Sequence, residues 1–280
     1  MFVREFMHKL TSLFLCLLLV LSGCAETVSS QGDAIDQAFC IKLPISEFSS
    51  YSAAYTPAQC LSKENKNPKV IEKVDQESLK IWKEIHEKMH LTTPYVPIVV
   101  YGSLMNPISA KNTLQEYHSH AVWIHDYVRV FNLDTRLFGG SSRVTDVDGE
   151  DNRGALNLNF SQGESCNGIV LAISEDDFVS CRRREGVYNC VPVVISDYVS
   201  SGQCHRSVAY AWVAGDQVCS NYVLPLKSYY SMIWEGITAD SVRESFGDNF
   251  SQEYLNTTFL ADGRSIKTIH DEYKDAPIHY

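Results

Sequence analysis

The chain has 280 residues, with 24 Lys or Arg against 34 Asp or Glu, so its net charge is −10 at pH 7. This acidic balance, with no basic run beyond residues 182–184, argues against a nucleic-acid-binding protein. Hydrophobic residues make up 45% of the chain, enough for one compact core, and the length fits one domain with an extension.

The first 23 residues are typical of a bacterial export signal. A basic start precedes an apolar run at residues 10–21 that is too short to span a membrane comfortably. The run ends in Leu21-Ser22-Gly23-Cys24, which resembles a lipobox, and Ala25 resembles lipoproteins sent to an outer membrane. We expect an exported protein held by a lipid on Cys24 at the periplasmic face of the outer membrane. The alternative is an ordinary cleaved signal in which Cys24 is incidental.

Seven cysteines follow Cys24, which in an exported chain indicates disulfides and one leftover thiol. Cys40–Cys60 and Cys204–Cys219 are the nearest natural pairs, and we expect these two bonds; Cys181 and Cys190 could form a third. No Cys-x-x-Cys occurs, so the sequence indicates neither a structural zinc site nor a thioredoxin-like site.

The rest of the chain predicts an extension followed by one domain. Residues 24–67 are polar and predict a tether and loop region. Pro68 can open a helix, and hydrophobic residues at helical spacing continue it to about His90, so residues 68–95 form a helical extension. Residues 96–263 predict a mixed, strand-rich and barrel-like α/β domain, and residues 264–280 a C-terminal tail. Within the domain we predict helices over 107–117, 174–184, 228–235, 239–246 and 251–256, and strands over 98–101, 119–133, 155–160, 167–173, 187–198 and 206–213.

Residues 98–104, Ile-Val-Val-Tyr-Gly-Ser-Leu, join four β-favouring residues to a glycine turn. This pattern predicts a buried strand that ends in a tight turn, with the backbone amides of Gly102, Ser103 and Leu104 facing a ligand. Fixed amide donors of this kind bind a carboxylate or a developing oxyanion.

Glu185 follows three arginines at the end of the predicted helix 174–184. An isolated Arg-Arg-Arg-Glu is typical of a solvated surface. At a junction between a helix and a strand, however, the carboxylate can point into the mouth of a barrel, where Val187 and Tyr188 would help to form the wall. Partial loss of water there would let Glu185 exchange a proton near neutral pH.

Together these two segments resemble the γ-glutamylcyclotransferase family, whose signature is a Tyr-Gly-Ser-Leu strand end with a later Arg-Glu…Tyr pattern. Residues 101–107 look like the bacterial form of the first motif, and Arg129-Val130-Phe131-Asn132 looks like the family's second strand. The resemblance covers roughly residues 96–263. It implies a mainly antiparallel, barrel-like sheet with flanking helices.

The resemblance also implies a reaction, in which a small γ-glutamyl amine or peptide becomes 5-oxoproline and a free amine. This is a carbon–nitrogen lyase reaction that needs no cofactor and no metal. The substrate's α-amine attacks its own γ-carbonyl, and proximity favours this ring closure. Glu185 would remove the ammonium proton and then protonate the leaving amine, while residues 102–104 would bind the substrate.

Three further residues are candidate substrate contacts: Tyr101, Arg129 and Tyr188. Tyr101 is either a wall of the site or a core aromatic. Arg129 pairs either with a substrate carboxylate or with an acidic neighbour.

Two other functions stay open. The first is a catalytically silent γ-glutamyl-binding module of the same fold. The second is a zinc peptidase, because His86-Glu87-Lys88-Met89-His90 satisfies His-Glu-x-x-His on a predicted helix. Lys88 and the missing downstream histidine extension disfavour the peptidase.

The lipobox leads to a direct test of anchoring. Cys24→Ser removes the only atom to which the lipid could be attached, so we expect this variant to leave the membrane pellet on cell fractionation. Ser22→Ala, which keeps the cysteine, is the control. A Cys24→Ser chain that stays in the pellet would contradict lipid anchoring.

Overall fold

The computed structural model describes residues 45–54, 67–137, 151–198 and 206–278. The export segment, Cys24 and the predicted Cys40–Cys60 bond lie outside the described residues. In the part of the chain that is described, no helix combines the length and the apolar composition needed to cross a membrane.

Five strands form a closed, barrel-like sheet. They are β1 (Val96–Val100), β2 (Tyr117–Asp134), β3 (Asn152–Ile173), β4 (Asn189–Asp197) and β5 (Arg206–Val213). Around the ring, β3 pairs with β1, β1 with β5, β5 with β4 and β4 with β2, which pairs back with β3. In this ring β1 and β5 run parallel and the other pairs are antiparallel. The predicted fold class is therefore confirmed.

Helices and two short strands surround the ring. The helices are α1 (Pro68–Lys88), α2 (Pro107–Lys111), α3 (Glu175–Arg184), α4 (Lys227–Thr238), α5 (Asp240–Phe246), α6 (Asn249–Asn256) and α7 (His270–Tyr273). Two short strands pair in parallel with strands of the ring: β6 (Leu224–Pro225) with β3, and β7 (Thr258–Leu260) with β2. Single 3-10 turns occur at Ile45–Glu47, Ser103–Met105, Thr135–Leu137, Asp216–Val218 and Ile266–Thr268.

Both ends of the described chain pack on the barrel. Tyr51 and Cys190 exchange backbone hydrogen bonds of 2.8 and 2.9 Å, which joins the N-terminal segment to β4. At the other end Tyr273 is buried, and its hydroxyl accepts a hydrogen bond of 2.7 Å from Asn152 Nδ2. Residues on either side of the domain thus contribute to its packing.

Two elements differ from their predicted bounds. The helix predicted over 107–117 ends at Lys111, and the N–H of Gln115 instead donates to Asp177 Oδ1 at 2.8 Å. The two strands predicted over 155–173 are one strand, β3. The pairing of β3 with β2 shifts register between Phe160 and Ser165, where Gly163 has a positive φ of 85°, and β3 continues through this irregularity.

The predicted Cys204–Cys219 bond is not formed at Cys219, whose thiol is free. Its Sγ donates to the carbonyl of Gly215 and accepts from Asn157 Nδ2, each at 3.5 Å, so the thiol is held by local hydrogen bonds. Cys204 itself lies outside the described residues. Cys181 and Cys190 are also free, and burial raises the pKa of the Cys190 thiol to about 12. Such thiols stay protonated near neutral pH.

Helix α4 packs directly on the chain that leaves β1. A Cβ built on Gly236 would lie 2.4 Å from the Cα of Asn106 and 2.5 Å from its Cβ. Asn106 Nδ2 also donates to the carbonyl of Met232 at 2.7 Å. The absence of a side chain at position 236 therefore fixes α4 against residues 102–106.

Because of this contact, we expect Gly236→Ala to lower the stability of the protein, which is the opposite of its usual effect in a helix. In an ordinary helix interior the change stabilises by about 0.5–1 kcal/mol. Here the methyl group would meet the backbone of Asn106, so we expect the free energy of unfolding in urea to fall by about 1–3 kcal/mol. A gain in stability would show that α4 and residues 102–106 are not in contact.

Candidate active site

A pocket that is open to solvent lies where β1 ends. Its walls come from the end of β1, from β3 and β5, from the residues after α3 and from α4. The residues that line it are Val100, Tyr101, Gly102, Ser103, Leu104, Leu156, Glu185, Tyr188, Trp212 and Tyr229. None of these lining residues is basic, and Glu185 is the one acidic residue among them.

The floor of the pocket is the turn at residues 102–104. All five residues of β1 are buried between β3 and β5, so the chain can leave the core only after Val100. A 3-10 turn then begins at Ser103, and because it begins there, the N–H groups of Ser103 and Leu104 have no partner inside it. Both residues line the pocket, so these two amide groups lie at its wall.

Gly102 has a physical reason to be glycine. A Cβ built there would lie 2.8 Å from the Tyr229 hydroxyl and 3.6 Å from Leu156 Cδ1. The hydroxyl of Tyr229, carried by α4, thus sits directly over the backbone of the turn.

Glu185 also lines the pocket. It caps α3, and its N–H donates to the carbonyl of Cys181 at 2.7 Å, while its own carbonyl accepts from the N–H of Tyr188 at 2.9 Å. Its side chain is only 16% exposed. The helix forms here because Ser174 caps its start and its terminal charges, acidic first and basic last, suit the helix dipole.

Two buried tyrosines wall the pocket and stay neutral. Tyr101 donates its hydroxyl to the carbonyl of Trp212, and Tyr188 donates to the carbonyl of Leu156 at 2.8 Å. Burial first, and then the charge of Glu185, raises the pKa of Tyr101 well above its ordinary value. Burial also raises the pKa of Tyr188. Tyr101 is therefore both a wall of the pocket and part of the core.

Arg184 lies behind the pocket and bonds to both of its sides. Its Nε is 3.3 Å from Glu185 Oε1, and its Nη2 donates to Ser103 Oγ at 2.9 Å. Further donations go to the carbonyl and the hydroxyl of Ser109 and to the hydroxyl of Thr113, at 2.7 to 3.1 Å.

Arg129 was a candidate substrate contact, and it does not line the pocket. Its fully buried guanidinium stacks on Tyr254, with 4.2 Å between Cζ and the ring centroid, and donates to Thr258 and Asn167. The two partners considered from the sequence were a substrate carboxylate and an acidic neighbour. In the structure the guanidinium has aromatic and neutral partners instead.

His86 and His90 do not share a helix face. Helix α1 ends at Lys88, and His90 has left-handed backbone (φ 52°) beyond that end. His86 Nε2 lies 2.6 Å from the carbonyl of Thr93, and its ring stacks on Trp82. Among the described residues, no group of three His, Cys, Asp or Glu side chains is placed to hold a metal ion.

Several pocket residues were not identified from the sequence: Val100, Leu156, Trp212 and Tyr229, together with Arg184 behind them. Tyr229 carried a weak signal, since it belongs to a predicted helix rich in aromatic residues. Only the fold brings that helix over Gly102.

No known protein-family profile and no curated protein matches this chain. Among solved structures, one named Gamma-glutamyl cyclotransferase is 15% identical, with a TM-score of 0.45 over 65% of this chain and 99% of that one. A human protein described as uncharacterized protein loc79017 is 14% identical, with a TM-score of 0.45 over 65% of this chain and all of that one. At these values, function has to be inferred from the pocket itself.

The contact between Gly102 and Tyr229 can be tested by a double-mutant cycle. Gly102→Ala places a methyl group against the Tyr229 hydroxyl, so we expect a loss of about 1–3 kcal/mol in the free energy of unfolding. Tyr229→Phe removes that hydroxyl, so the double variant should be more stable than the sum of the single effects by about 0.5 kcal/mol or more. Strict additivity would place the hydroxyl elsewhere.

Proposed function

We propose that the protein is a γ-glutamylcyclotransferase-like enzyme that converts a small γ-glutamyl amine or peptide to 5-oxoproline and the free amine. The observation that carries this proposal is the placement of one largely buried carboxylate, Glu185, and one amide turn, residues 102–104, in the same pocket.

Each part of the pocket suits one step of the ring closure. The γ-glutamyl α-ammonium group is positive, and Glu185 is the only acidic residue among those that line the pocket. Its carboxylate would take the ammonium proton, which frees the amine to attack the γ-carbonyl. The carbonyl oxygen would become negative, and the N–H groups of Ser103 and Leu104 would stabilise that charge.

The reaction ends when the C–N bond to the leaving amine breaks. Glu185, now protonated, would return its proton to the leaving nitrogen, and the attacking nitrogen would lose its second proton as the ring forms. The leaving amine would take up that second proton and depart as an ammonium, so the carboxylate is regenerated and no other reactant is consumed. Because the nucleophile belongs to the substrate, the protein needs no nucleophile of its own. The hydroxyl of Ser103, which accepts from Arg184, has no histidine among the other lining residues to activate it.

A silent binding module of the same fold is the competing proposal. A module that only binds would need the donors of the turn but would not need a proton acceptor in the same pocket. The position of Glu185 favours the enzyme.

Export and lipid anchoring through Cys24 are proposed as well, on the strength of the lipobox-like sequence, and would place the enzyme on a membrane surface.

Glu185→Gln tests the enzyme directly. Gln keeps the shape of the side chain but cannot carry a proton, so we expect 5-oxoproline release from γ-glutamyl compounds to fall by about 10²- to 10⁴-fold. Glu175→Gln, the same change at the other end of α3, is the matched control and should keep its activity. If Glu185→Gln retains full activity, the proton transfer has been assigned to the wrong residue.

A further inference from the structure

The three consecutive arginines at the end of α3 have three different environments. Arg182 is fully buried and lies over the ring of Trp212. Arg183 reaches α1 and pairs with Asp75, with 2.6 Å between Nε and Oδ1. Arg184 bonds to Glu185 and to Ser103, two residues that line the pocket, without lining the pocket itself.

The bonds of Arg184 form a bridge across the back of the pocket. One nitrogen faces the carboxylate of Glu185, a second donates to Ser103 in the turn, and two of the nitrogens donate to Ser109 and Thr113 at α2. A guanidinium presents its donors in one rigid plane, so these bonds fix the distances between their acceptors. The side chain is 17% exposed, which limits competition from water.

We propose that Arg184 is a positioning residue, whose guanidinium sets the separation between the carboxylate of Glu185 and the amides of residues 102–104. This role rests on the proposed cyclotransferase function. The turn and the charge of Glu185 can each attract the substrate without an exact separation between them, whereas ring closure requires both groups at one fixed separation. Loss of the bridge should therefore lower kcat more than it raises KM.

The test compares Arg184→Met with Arg183→Met, the matched control one residue earlier on the same helix. A displacement of about 1 Å in a reacting geometry can cost about 10²-fold, so we expect kcat of Arg184→Met to fall by about that factor, with a much smaller change in KM. Arg183→Met should keep the wild-type kcat. Circular dichroism and thermal melting establish that each variant is folded.

Arg184→Lys covers the case in which Arg184→Met does not fold. Lysine keeps a positive charge beside Glu185, but its single ammonium cannot replace the planar fork. We expect it to lose at least about tenfold in kcat, given the same misplacement. Wild-type kcat in either folded Arg184 variant would overturn the proposal.

A double-mutant cycle with Ser103→Ala separates positioning from a general loss of folded protein. If Arg184 acts through Ser103, then Ser103→Ala should lower kcat in the wild type and change it by less than about twofold in Arg184→Met. Equal effects in both backgrounds, or a Ser103→Ala variant with wild-type kcat, would overturn this route. A wild-type chain that produces no 5-oxoproline would instead remove the proposed function, and this role with it.

Discussion

The guanidinium of Arg184 is the contact on which the pocket depends, because it joins two segments that lie some eighty residues apart in the chain. A largely buried cation is costly unless every donor is matched, and the partners of Arg184 are a carboxylate, three hydroxyls and a carbonyl. Removing any partner would leave part of that charge unsatisfied. The end of β1 and the end of α3 are thereby held in one relative position.

Glu185 is the only charged residue among those that line the pocket. The hydroxyls of Tyr101 and Tyr188 donate to backbone carbonyls, and their raised pKa values keep both rings neutral. A carboxylate among aromatic walls attracts a cationic group more strongly than it would in water. The electrostatics of the pocket thus favour a ligand with a cationic group, and the proposed γ-glutamyl substrate carries one in its α-ammonium.

The sequence alone predicted those elements whose determining signals are local. The apolar run into Gly102 predicted β1 and its turn, and the cap at Ser174 with the following acidic residues predicted α3 and the position of Glu185. The environments of the three arginines were harder to predict, because a run of like charges is usually solvated. Consecutive helical residues point about 100° apart, so three neighbouring arginines reached the core, α1 and the turn. Tyr229 and Gly236 depend on the packing of α4, and no local pattern encodes the contact partner of a helix.

The central claim is that the substrate's own amine closes the ring in this pocket, and the fate of the α-nitrogen tests it most directly. The purified chain would be incubated with γ-glutamyl compounds labelled with ¹⁵N at the α-amine, and the product identified by mass spectrometry. We expect 5-oxoproline with ¹⁵N in the ring, together with an unlabelled free amine. Labelled glutamate as the direct product would mean that water attacks the carbonyl, and would contradict the account.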